Sequence, residues 1–441
     1  MTGPGAARSR LLALARDARA SSLHRNSGWI MVTIAVTSAL GYAYWLAAAR
    51  LFPAHQIGLA NGLVSLMTIT AIVANLGTAP ALVLRLPERR TAAEWSATLS
   101  GSLIGGALAG LLAGGVVLTA LPALSPELGS ARTQPLLDAL FLAGTSACIC
   151  STVLDYAFIA ERRSSAMALR GATFALVKIP LVVAPALALG TGQGTTLIFA
   201  SWVLGYACSC LLGVFVMVPR VRPGFRLRLR GASGELRAGC RVLAGSYLTS
   251  LGNALPIYLL PVIVVTRLSA TANAYFYITW MVGGIFFMIS SAFGSSLFAE
   301  GSNAPGRLPE QARASVRATA LMLLPAIVVV MAAGEQILGL FGSAYAREGT
   351  HLLWVLTLAS IPDAITNLYV PVLRVRRRLR AASALTMGMA AVAVAGAWAV
   401  APWGGLTGIG LVWLAAQSLG SLWVALDLLA ARHAPRREVP A

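Results

Sequence analysis

Two charged residues lie near the middle of long apolar runs, each close to a proline. Lys178 lies two residues before Pro180, and Asp363 directly follows Pro362. A charge at the centre of a membrane span costs at least ~2.5 kcal/mol, and such residues usually face a partner or a water-filled cavity. A proline kinks the helix and frees backbone carbonyls, which is tolerated where the distortion is buried or lines a cavity. This pattern is typical of a transport site.

Both residues also have a structural interpretation. Lys178 could pair within the bundle or extend its amine towards the membrane surface, and Asp363 could pair with a neighbouring helix. Asp155 and Arg170 are expected at similar depth on adjacent antiparallel helices. For these two residues a structural ion pair is the preferred interpretation.

The composition predicts the kind of protein that holds these charges. Of 441 residues, 57% are hydrophobic and only 11% are charged, against roughly 25% charged residues in a soluble domain. The mean hydropathy is +0.76. The formal charge of +19 would suggest nucleic-acid binding on a soluble protein, but here the cations lie between apolar runs. The chain is therefore an integral membrane protein, and no nucleic-acid partner is expected.

Twelve apolar runs are long enough to cross a bilayer as helices. They are 29–49, 57–84, 97–121, 136–160, 166–189, 195–218, 242–266, 274–299, 316–340, 351–373, 381–401 and 405–430. They predict an all-α fold of about 12 transmembrane helices. The chain divides into an N-terminal segment (1–28), an N-lobe (29–218), a basic linker (219–241), a C-lobe (242–430) and a tail (431–441).

The Lys and Arg residues predict the orientation. With the N-terminus inside, 29 of the 34 fall in the tails and connections of the cytoplasmic side, four fall outside, and Lys178 lies in mid-helix. Basic residues near helix ends are retained on the cytoplasmic side. Both termini are thus expected in the cytoplasm, in the inner membrane of a bacterial cell. A cleaved signal peptide ending near Ala47-Ala48-Ala49 is the weaker alternative, because the apolar run from Trp29 is longer than a signal h-region.

Several kinds of chemistry are not expected. Lys178 is the only lysine and is followed by Ile179, so the phosphate-binding motif G-x-x-x-x-G-K-[ST] is absent. The five cysteines include two C-x-C pairs, whose members point to different helix faces, and metal binding is disfavoured. The histidines lie near predicted helix ends or in the tails. No cofactor, metal or catalytic residue is predicted, and the chain is expected to be a non-enzymatic transporter.

Six helices on each side of the linker imply two parallel lobes related by an axis along the membrane normal, with a central cavity between them. A sequence repeat does not add to this argument. Residues 41–85 laid on 258–302 match at four of 45 positions, which is about chance for this composition. The two-lobed interpretation rests on topology.

The first two helices resemble a known superfamily. The stretch "ARLFPAHQIGLANGLVSLMTITAIVANLGTAPALVLR" ends at Arg85 and contains Gly58 and Leu76-Gly77. It resembles the opening of polysaccharide flippases in the multidrug/oligosaccharidyl-lipid/polysaccharide exporter superfamily. "LPIYLLPVIVVTRLSATANAYFYITWMVGGIFFMISSAFGSSLFAE" and "LLWVLTLASIPDAITNLYVPVLRVRRRLRAA" are similar to its second-lobe segments. The resemblance implies alternating access and a lipid-diphosphate-linked glycan as cargo, for polysaccharide or lipopolysaccharide biosynthesis.

The resemblance gives the candidate residues their roles. Lys178 would attract the substrate diphosphate, and Asp363 would bind a coupling ion, a proton or sodium. Further substrate contacts are proposed for Arg50, Arg85, Arg267, Asn75 and Asn253. For the arginines interfacial anchoring is the alternative, and for the asparagines it is bonding between helices.

Two features of the membrane spans remain. Gly252, Pro256 and Pro261 make helix seven the most kink-prone span and a candidate gate. Aromatic residues cluster near the outer ends of helices one and eight, where sugar binding competes with an aromatic belt at the membrane surface, the favoured interpretation. They are Tyr42, Tyr44, Trp45, Tyr275, Tyr277 and Trp280.

Three rival functions stay open. A multidrug or small-molecule exporter of the same superfamily is the main alternative, although fixed positive charge in the interior disfavours cationic cargo. A major-facilitator transporter shares the six-plus-six topology, but "LRLPERRTAAEW" has neither the Gly nor the Asp of that family's motif. A membrane-embedded glycosyltransferase would need outer carboxylates, and the longest outer loop, near 121–135, has only Glu127.

Overall fold

The computed structural model describes residues 36–75, 77–129, 134–228 and 244–433. Within these ranges the chain is helical and contains no strand. The helices, numbered here in chain order, are α1 (36–51), α2 (Ala54–Asn75), α3 (Thr78–Arg85), α4 (Ala92–Leu124), α5 (Pro126–Gly129), α6 (Pro135–Ala160), α7 (Ser164–Leu189), α8 (Gly194–Val221), α9 (Ala244–Arg267), α10 (Ala270–Asn303), α11 (Leu308–Gly339), α12 (Ser343–Val375) and α13 (Leu379–His433).

Ten of the described helices are long and apolar enough to cross a membrane. α13 has 55 residues, which would extend about 80 Å if straight, far beyond the ~30 Å hydrocarbon core. It instead folds back at Gly405, whose φ is 57°, so that Gly396 packs against Val412. α13 therefore counts as two crossings, and α1, whose predicted span begins before residue 36, adds one more. The described helices thus agree with about twelve crossings.

The second crossing is broken, which the sequence interpretation did not predict. In place of one span over 57–84, α2 ends at Asn75 and α3 begins at Thr78, with Gly77 left-handed at φ 75°. The side-chain oxygen of Asn75 accepts bonds from the Thr78 hydroxyl (2.6 Å) and the Ala79 N–H (3.3 Å). A glycine that tolerates positive φ and an asparagine that caps the new helix together explain the break.

The helices form two lobes. α1–α8 make the N-lobe, in which α4 and α6 approach closely because Gly106, Gly110 and Gly114 present no side chain to α6. α9–α13 make the C-lobe, where Gly294 of α10 lies against the Asn367 carbonyl of α12. The predicted linker starts later than expected, since α8 extends to Val221. Residues 229–241 of the predicted linker, the N-terminal segment and residues 434–441 of the tail lie outside the described residues.

The lobes meet where α1 turns into α2 and α9 turns into α10, and this is called the closed end below. Gly58 of α2 contacts the backbone of α10 at Ala270. The Asn273 amide of α10 donates to the Gly58 carbonyl (2.7 Å) and to the Asn61 side-chain oxygen (3.2 Å). The Glu127 carboxylate accepts the Ala270 N–H (3.0 Å). The closed end is outer in the predicted orientation.

Replacing Gly58 with alanine is expected to force the lobes apart at the closed end. A Cβ at this position would lie 1.6 Å from the Ala270 carbonyl oxygen and 2.9 Å from the Ala274 nitrogen. Because both are backbone atoms, a rotamer change cannot relieve the clash, and overpacking of this kind costs ~1–3 kcal/mol. The melting temperature of the purified protein should fall by a few degrees. Gly115→Ala is the matched control, since nothing lies within 4 Å of its Cβ; equal melting of the two variants would contradict the expectation.

Candidate functional site

Lys178 lies inside the N-lobe, enclosed by three aromatic rings. Its Nζ is 4.1 Å from the ring centre of Trp202, 4.7 Å from Tyr44 and 4.8 Å from Phe174. The residue is 3% exposed. These distances are within the ~6 Å range of cation–π attraction, which can reach ~2 kcal/mol where water is excluded. We call this group of rings the lysine cage.

Three helices build the lysine cage. α7 carries Lys178 and, one turn earlier, Phe174; α8 supplies Trp202, and α1 supplies Tyr44. The Tyr44 hydroxyl bonds to the Ser201 hydroxyl (2.8 Å), which fixes the ring against α8. The aromatic contacts position the ammonium within the N-lobe, and Lys178 lies near the middle of α7 (Ser164–Leu189).

No carboxylate forms a salt bridge with Lys178 in the part of the chain that the structure describes. The predicted ion pair is elsewhere: Asp155 accepts from the Arg170 guanidinium at 2.5 Å. Arg170 also donates to the hydroxyls of Ser151 (2.6 Å) and Ser209 (2.9 Å), so it joins α6, α7 and α8. The structural interpretation of the Asp155–Arg170 pair is confirmed. Arg170 is paired with a carboxylate, whereas the contacts of the Lys178 ammonium seen in the described residues are with three aromatic rings.

Asp363 lies on α12 of the C-lobe, directly after Pro362. Its carboxylate accepts hydrogen bonds from the Ser290 hydroxyl of α10 (2.9 Å) and the Asn367 amide of α12 (2.8 Å). The Asn367 amide also donates to Ser290 (2.9 Å). Asp363 is 5% exposed. The group is a buried carboxylate bonded to neutral donors, which can take up a proton without losing a salt-bridge partner.

A second layer of polar residues surrounds Asp363. The Thr366 hydroxyl donates to the Asp363 carbonyl (2.9 Å) and lies 3.3 Å from the Gln417 side-chain oxygen of α13. The Ser421 hydroxyl of α13 donates to the Pro362 carbonyl (2.8 Å). These contacts fix the proline-containing turn of α12 against α13. The sequence analysis identified Asp363 but not Ser290, because a serine within an apolar stretch does not indicate which side chain it will bond to.

The predicted arginines take three separate positions. Arg50 donates from Nε (2.9 Å) and Nη2 (2.5 Å) to the Leu340 carbonyl beyond α11, so it joins the two lobes at the closed end. The Arg267 guanidinium lies 4.9 Å from the Trp398 ring, and both side chains are exposed on the C-lobe. Arg85 ends α3, half-buried, at the opposite end of the bundle. The structure does not bring these three residues together.

The predicted asparagines also differ from one another. Asn75 is buried and caps α3 through its side-chain oxygen. Asn253 is exposed on α9. Of the two, Asn253 has a side chain that is accessible to a ligand, whereas the Asn75 side-chain oxygen already accepts the hydrogen bonds that cap α3.

The kink-prone span is α9, which runs as one helix from Ala244 to Arg267 through Pro256 and Pro261. Gly252 has a clear structural role, because a Cβ there would lie 2.9 Å from the Thr386 carbonyl carbon of α13. It therefore permits close packing of α9 and α13. A gating role for the three residues stays a prediction.

The aromatic-belt interpretation is wrong for three of the residues that suggested it. Tyr44 and Trp45 are 0% and 2% exposed, and Trp280 is 7% exposed. Trp45 stacks edge-on against Tyr277 of the C-lobe, with 4.8 Å between ring centres. These rings pack inside and between the lobes because the lobes come together at the closed end. A sequence cannot distinguish such a cluster from a belt at the same depth.

The described residues contain no group of three or more His, Cys, Asp or Glu side chains suited to a metal. Cys148, Cys150, Cys208 and Cys210 are free thiols. Cys240 lies outside the described residues.

Solved structures with the same architecture are membrane transporters. Lipid II flippase MurJ in an inward closed conformation superposes with a TM-score of 0.72, at 10% identity, over 90% of this chain and 87% of that chain. A multidrug resistance MATE family transporter of the MOP superfamily, in an inward-facing conformation, gives 0.64 at 18% identity over 91% and 98%.

A third solved structure is a MOP superfamily transporter from Pyrococcus furiosus, described as having a binding pocket of reverse polarity that suggests a different function. It gives a TM-score of 0.58 at 16% identity over 94% of this chain and 96% of that chain. The chain has the two-lobed MATE and MurJ fold. No protein-family model matches the sequence, and neither does any curated protein. The predicted all-α, two-lobed fold is confirmed, and the orientation of the termini stays a prediction.

Proposed function

We propose that this protein is a flippase that moves a lipid-diphosphate-linked oligosaccharide or polysaccharide precursor from the cytoplasmic to the outer leaflet of a bacterial inner membrane. The observation that carries the proposal is Lys178, a buried cation in the N-lobe with no carboxylate partner among the described residues. A transporter for anions benefits from such a charge, since attraction to a diphosphate is strong where water is excluded.

Alternating access supplies the movement. In the described conformation the lobes are joined at the closed end by Gly58, Asn273 and Glu127. Opening there would require the lobes to separate at these contacts. Rigid-body rocking of one lobe against the other around a central site is a common transport mechanism.

Asp363 is proposed as the coupling site. Its carboxylate is bonded to two donors, the Ser290 hydroxyl and the Asn367 amide, and these groups direct hydrogen atoms, not oxygen lone pairs, at Asp363. A sodium ion needs several oxygen ligands, whereas a proton needs only the carboxylate. The donor set therefore favours a proton over sodium.

Other residues have lesser parts in the proposal. Asn253, exposed on α9, and Arg85, at the inner end in the predicted orientation, are candidates for headgroup contacts. Arg50 and Arg267 would act at the opposite end, where the substrate leaves. No catalytic residue is required, because flipping forms and breaks no covalent bond.

A small-molecule exporter is the second candidate, favoured by one observation. The MATE multidrug transporter is 18% identical over nearly its whole length, against 10% for MurJ. The lysine cage argues against cationic drugs, because the aromatic faces that would attract such a cation already hold the Lys178 ammonium.

Cells that lack the protein distinguish the two functions. Membrane lipids would be extracted and diphosphate-linked oligosaccharide quantified, with sensitivity to lipophilic cations recorded in parallel. The flippase predicts that the lipid-linked glycan accumulates on the cytoplasmic leaflet while drug sensitivity is unchanged. New drug sensitivity without accumulation would replace the flippase by the exporter.

A further inference from the structure

We propose that the segment Phe225–Arg228, which follows α8, is a binding site for an anionic phospholipid of the bilayer. The lipid phosphate would be held between the guanidinium groups of Arg226 and Arg228. The inference goes beyond the proposed function, because it concerns a lipid that stays in the membrane and not the transported cargo.

The chain turns after α8 and packs against the start of α4. The Phe225 N–H donates to the Arg222 carbonyl (3.2 Å), closing a turn in which Gly224 is left-handed, with φ 89°. The Phe225 ring then contacts Trp95 of α4 edge-on, with 5.8 Å between ring centres. Trp95 is itself buried, and its indole nitrogen donates to the carboxylate of Glu161, directly after α6 (2.8 Å). These contacts anchor the start of the segment on the N-lobe.

Two serines of α4 hold the backbone of the segment. The Arg226 N–H donates to the Ser96 hydroxyl (3.3 Å), and the Arg228 N–H donates to the Ser100 hydroxyl (3.0 Å). Both serines are buried. They are four residues apart on a helix, about 6 Å along its axis, which matches the ~6.6 Å advance of two extended residues. The segment is therefore an extended stretch of chain that runs along α4 in the same direction.

The extended backbone separates the side chains by polarity. Successive residues of an extended chain point to opposite faces, so Arg226 and Arg228 share one face, with their Cα atoms about 6.6 Å apart, and Phe225 and Leu227 share the other. Both arginines are exposed. In the part of the chain that the structure describes, neither forms a salt bridge with a carboxylate. Leu227 is 52% exposed. One face thus presents two cations, and the other presents an apolar side chain to hydrocarbon.

The position of the segment along α4 corresponds to the depth of lipid headgroups. α4 has 33 residues, about 50 Å, so its ends extend beyond the ~30 Å hydrocarbon core. Ser96 comes just before the predicted span 97–121, and Ser100 lies one turn inside it. Because the segment runs with α4, it advances from the membrane surface towards the core. Arginines at this depth extend their guanidinium groups back to the interface, where the lipid phosphates lie.

An anionic phospholipid complements both faces of the segment. A guanidinium donates two parallel hydrogen bonds to a phosphate, and two guanidinium groups on one face can hold one phosphate between them. The acyl chains would lie along Leu227. A zwitterionic lipid carries a cation beside its phosphate, and the two arginines repel that cation. The segment is therefore expected to bind phosphatidylglycerol more tightly than phosphatidylcholine.

Native mass spectrometry of the full-length protein in detergent, titrated with phosphatidylglycerol, would measure the affinity for the first bound lipid. Arg226→Gln combined with Arg228→Gln should weaken this binding by about tenfold or more, because each cation near an anionic headgroup adds to the attraction. Ser96→Ala combined with Ser100→Ala leaves every charge in place but removes the two acceptors that position the segment. This second variant should weaken the same binding by roughly threefold.

Arg313→Gln combined with Arg317→Gln is the matched control. These two arginines are exposed near the start of α11, so the variant loses the same charge from a regular helix and should bind the lipid as tightly as the unmodified protein. An equal loss of affinity in this control would overturn the site in favour of general attraction to a basic surface.

The other outcomes also decide the proposal. Unchanged affinity after the Arg226 and Arg228 substitutions would overturn it. Unchanged affinity after the Ser96 and Ser100 substitutions would do the same, because α4 would then not position the segment. Phosphatidylcholine that binds as tightly as phosphatidylglycerol would contradict the charge complementarity. A polyprenyl diphosphate that binds where phosphatidylglycerol does not would assign the segment to the transported lipid and exclude the bilayer lipid.

Discussion

Replacing Lys178 with methionine is expected to reduce transport at least tenfold while the fold remains as stable as before. The methionine side chain is one atom shorter but still reaches the rings of Trp202, Tyr44 and Phe174, and thioethers pack well on aromatic rings. The change removes a buried charge whose desolvation costs at least ~2.5 kcal/mol in a membrane. The melting temperature should therefore stay level or rise. A tenfold loss corresponds to ~1.4 kcal/mol of lost attraction to the substrate.

Two measurements test this expectation on the purified protein in proteoliposomes: translocation of a lipid-linked oligosaccharide, and thermal unfolding. Arg347→Gln is the matched loss of one positive charge, at an exposed ion pair with Glu348, and it should leave both quantities unchanged. Full transport by the methionine variant would remove Lys178 from the site. Reduced transport together with a lowered melting temperature would assign the lysine a structural role.

The membrane crossings were predictable from sequence because each one depends only on a continuous local stretch of the chain. Hydrocarbon requires an uninterrupted apolar helix, so composition alone placed the runs and the turn near residues 401–405, where Gly405 reverses α13. The same count placed Lys178 and Asp363 within spans, and both lie inside long helices, α7 and α12. The break after Asn75 was missed, because an asparagine and a glycine inside an apolar run do not by themselves show which residue is capped.

The partners of the charged residues could not be predicted, because they come from distant parts of the chain. Tyr44 lies 134 positions before Lys178 in the sequence, and Ser290 lies 73 positions before Asp363. Neither separation has a periodicity that a sequence could show. The contact of Gly58 with Ala270 is similar, since it depends on how two lobes dock. The order of the helices predicted two lobes, but it did not predict which residues of the two lobes contact each other.

The two buried charges differ in a way that assigns them separate tasks. Lys178 is surrounded by three aromatic rings, whose faces hold a cation, and no salt bridge to a carboxylate is present among the described residues. Asp363 is bonded to a hydroxyl and an amide that can reorient when the carboxylate is protonated. The cation is suited to holding an anionic substrate in one lobe. The Asp363 carboxylate in the other lobe is suited to binding the ion whose gradient drives transport.

Replacing Asp363 with asparagine is therefore expected to uncouple transport from the driving gradient without unfolding the protein. The amide oxygen can keep the bonds from Ser290 and Asn367, so the geometry survives, whereas the titratable charge is lost. In proteoliposomes, an imposed proton gradient should accelerate transport by the unmodified protein at least tenfold and should have no effect on the variant. Exchange of labelled for unlabelled substrate, which needs no gradient, should continue in both.

Glu310→Gln makes the same chemical change at an exposed pair with Arg307 and should retain the gradient response. A variant that still responds to the proton gradient would exclude Asp363 as the coupling site. A response of the unmodified protein to sodium alone would exclude the proton as the coupling ion, because the Ser290 and Asn367 side chains would then have to turn their oxygens towards a metal ion.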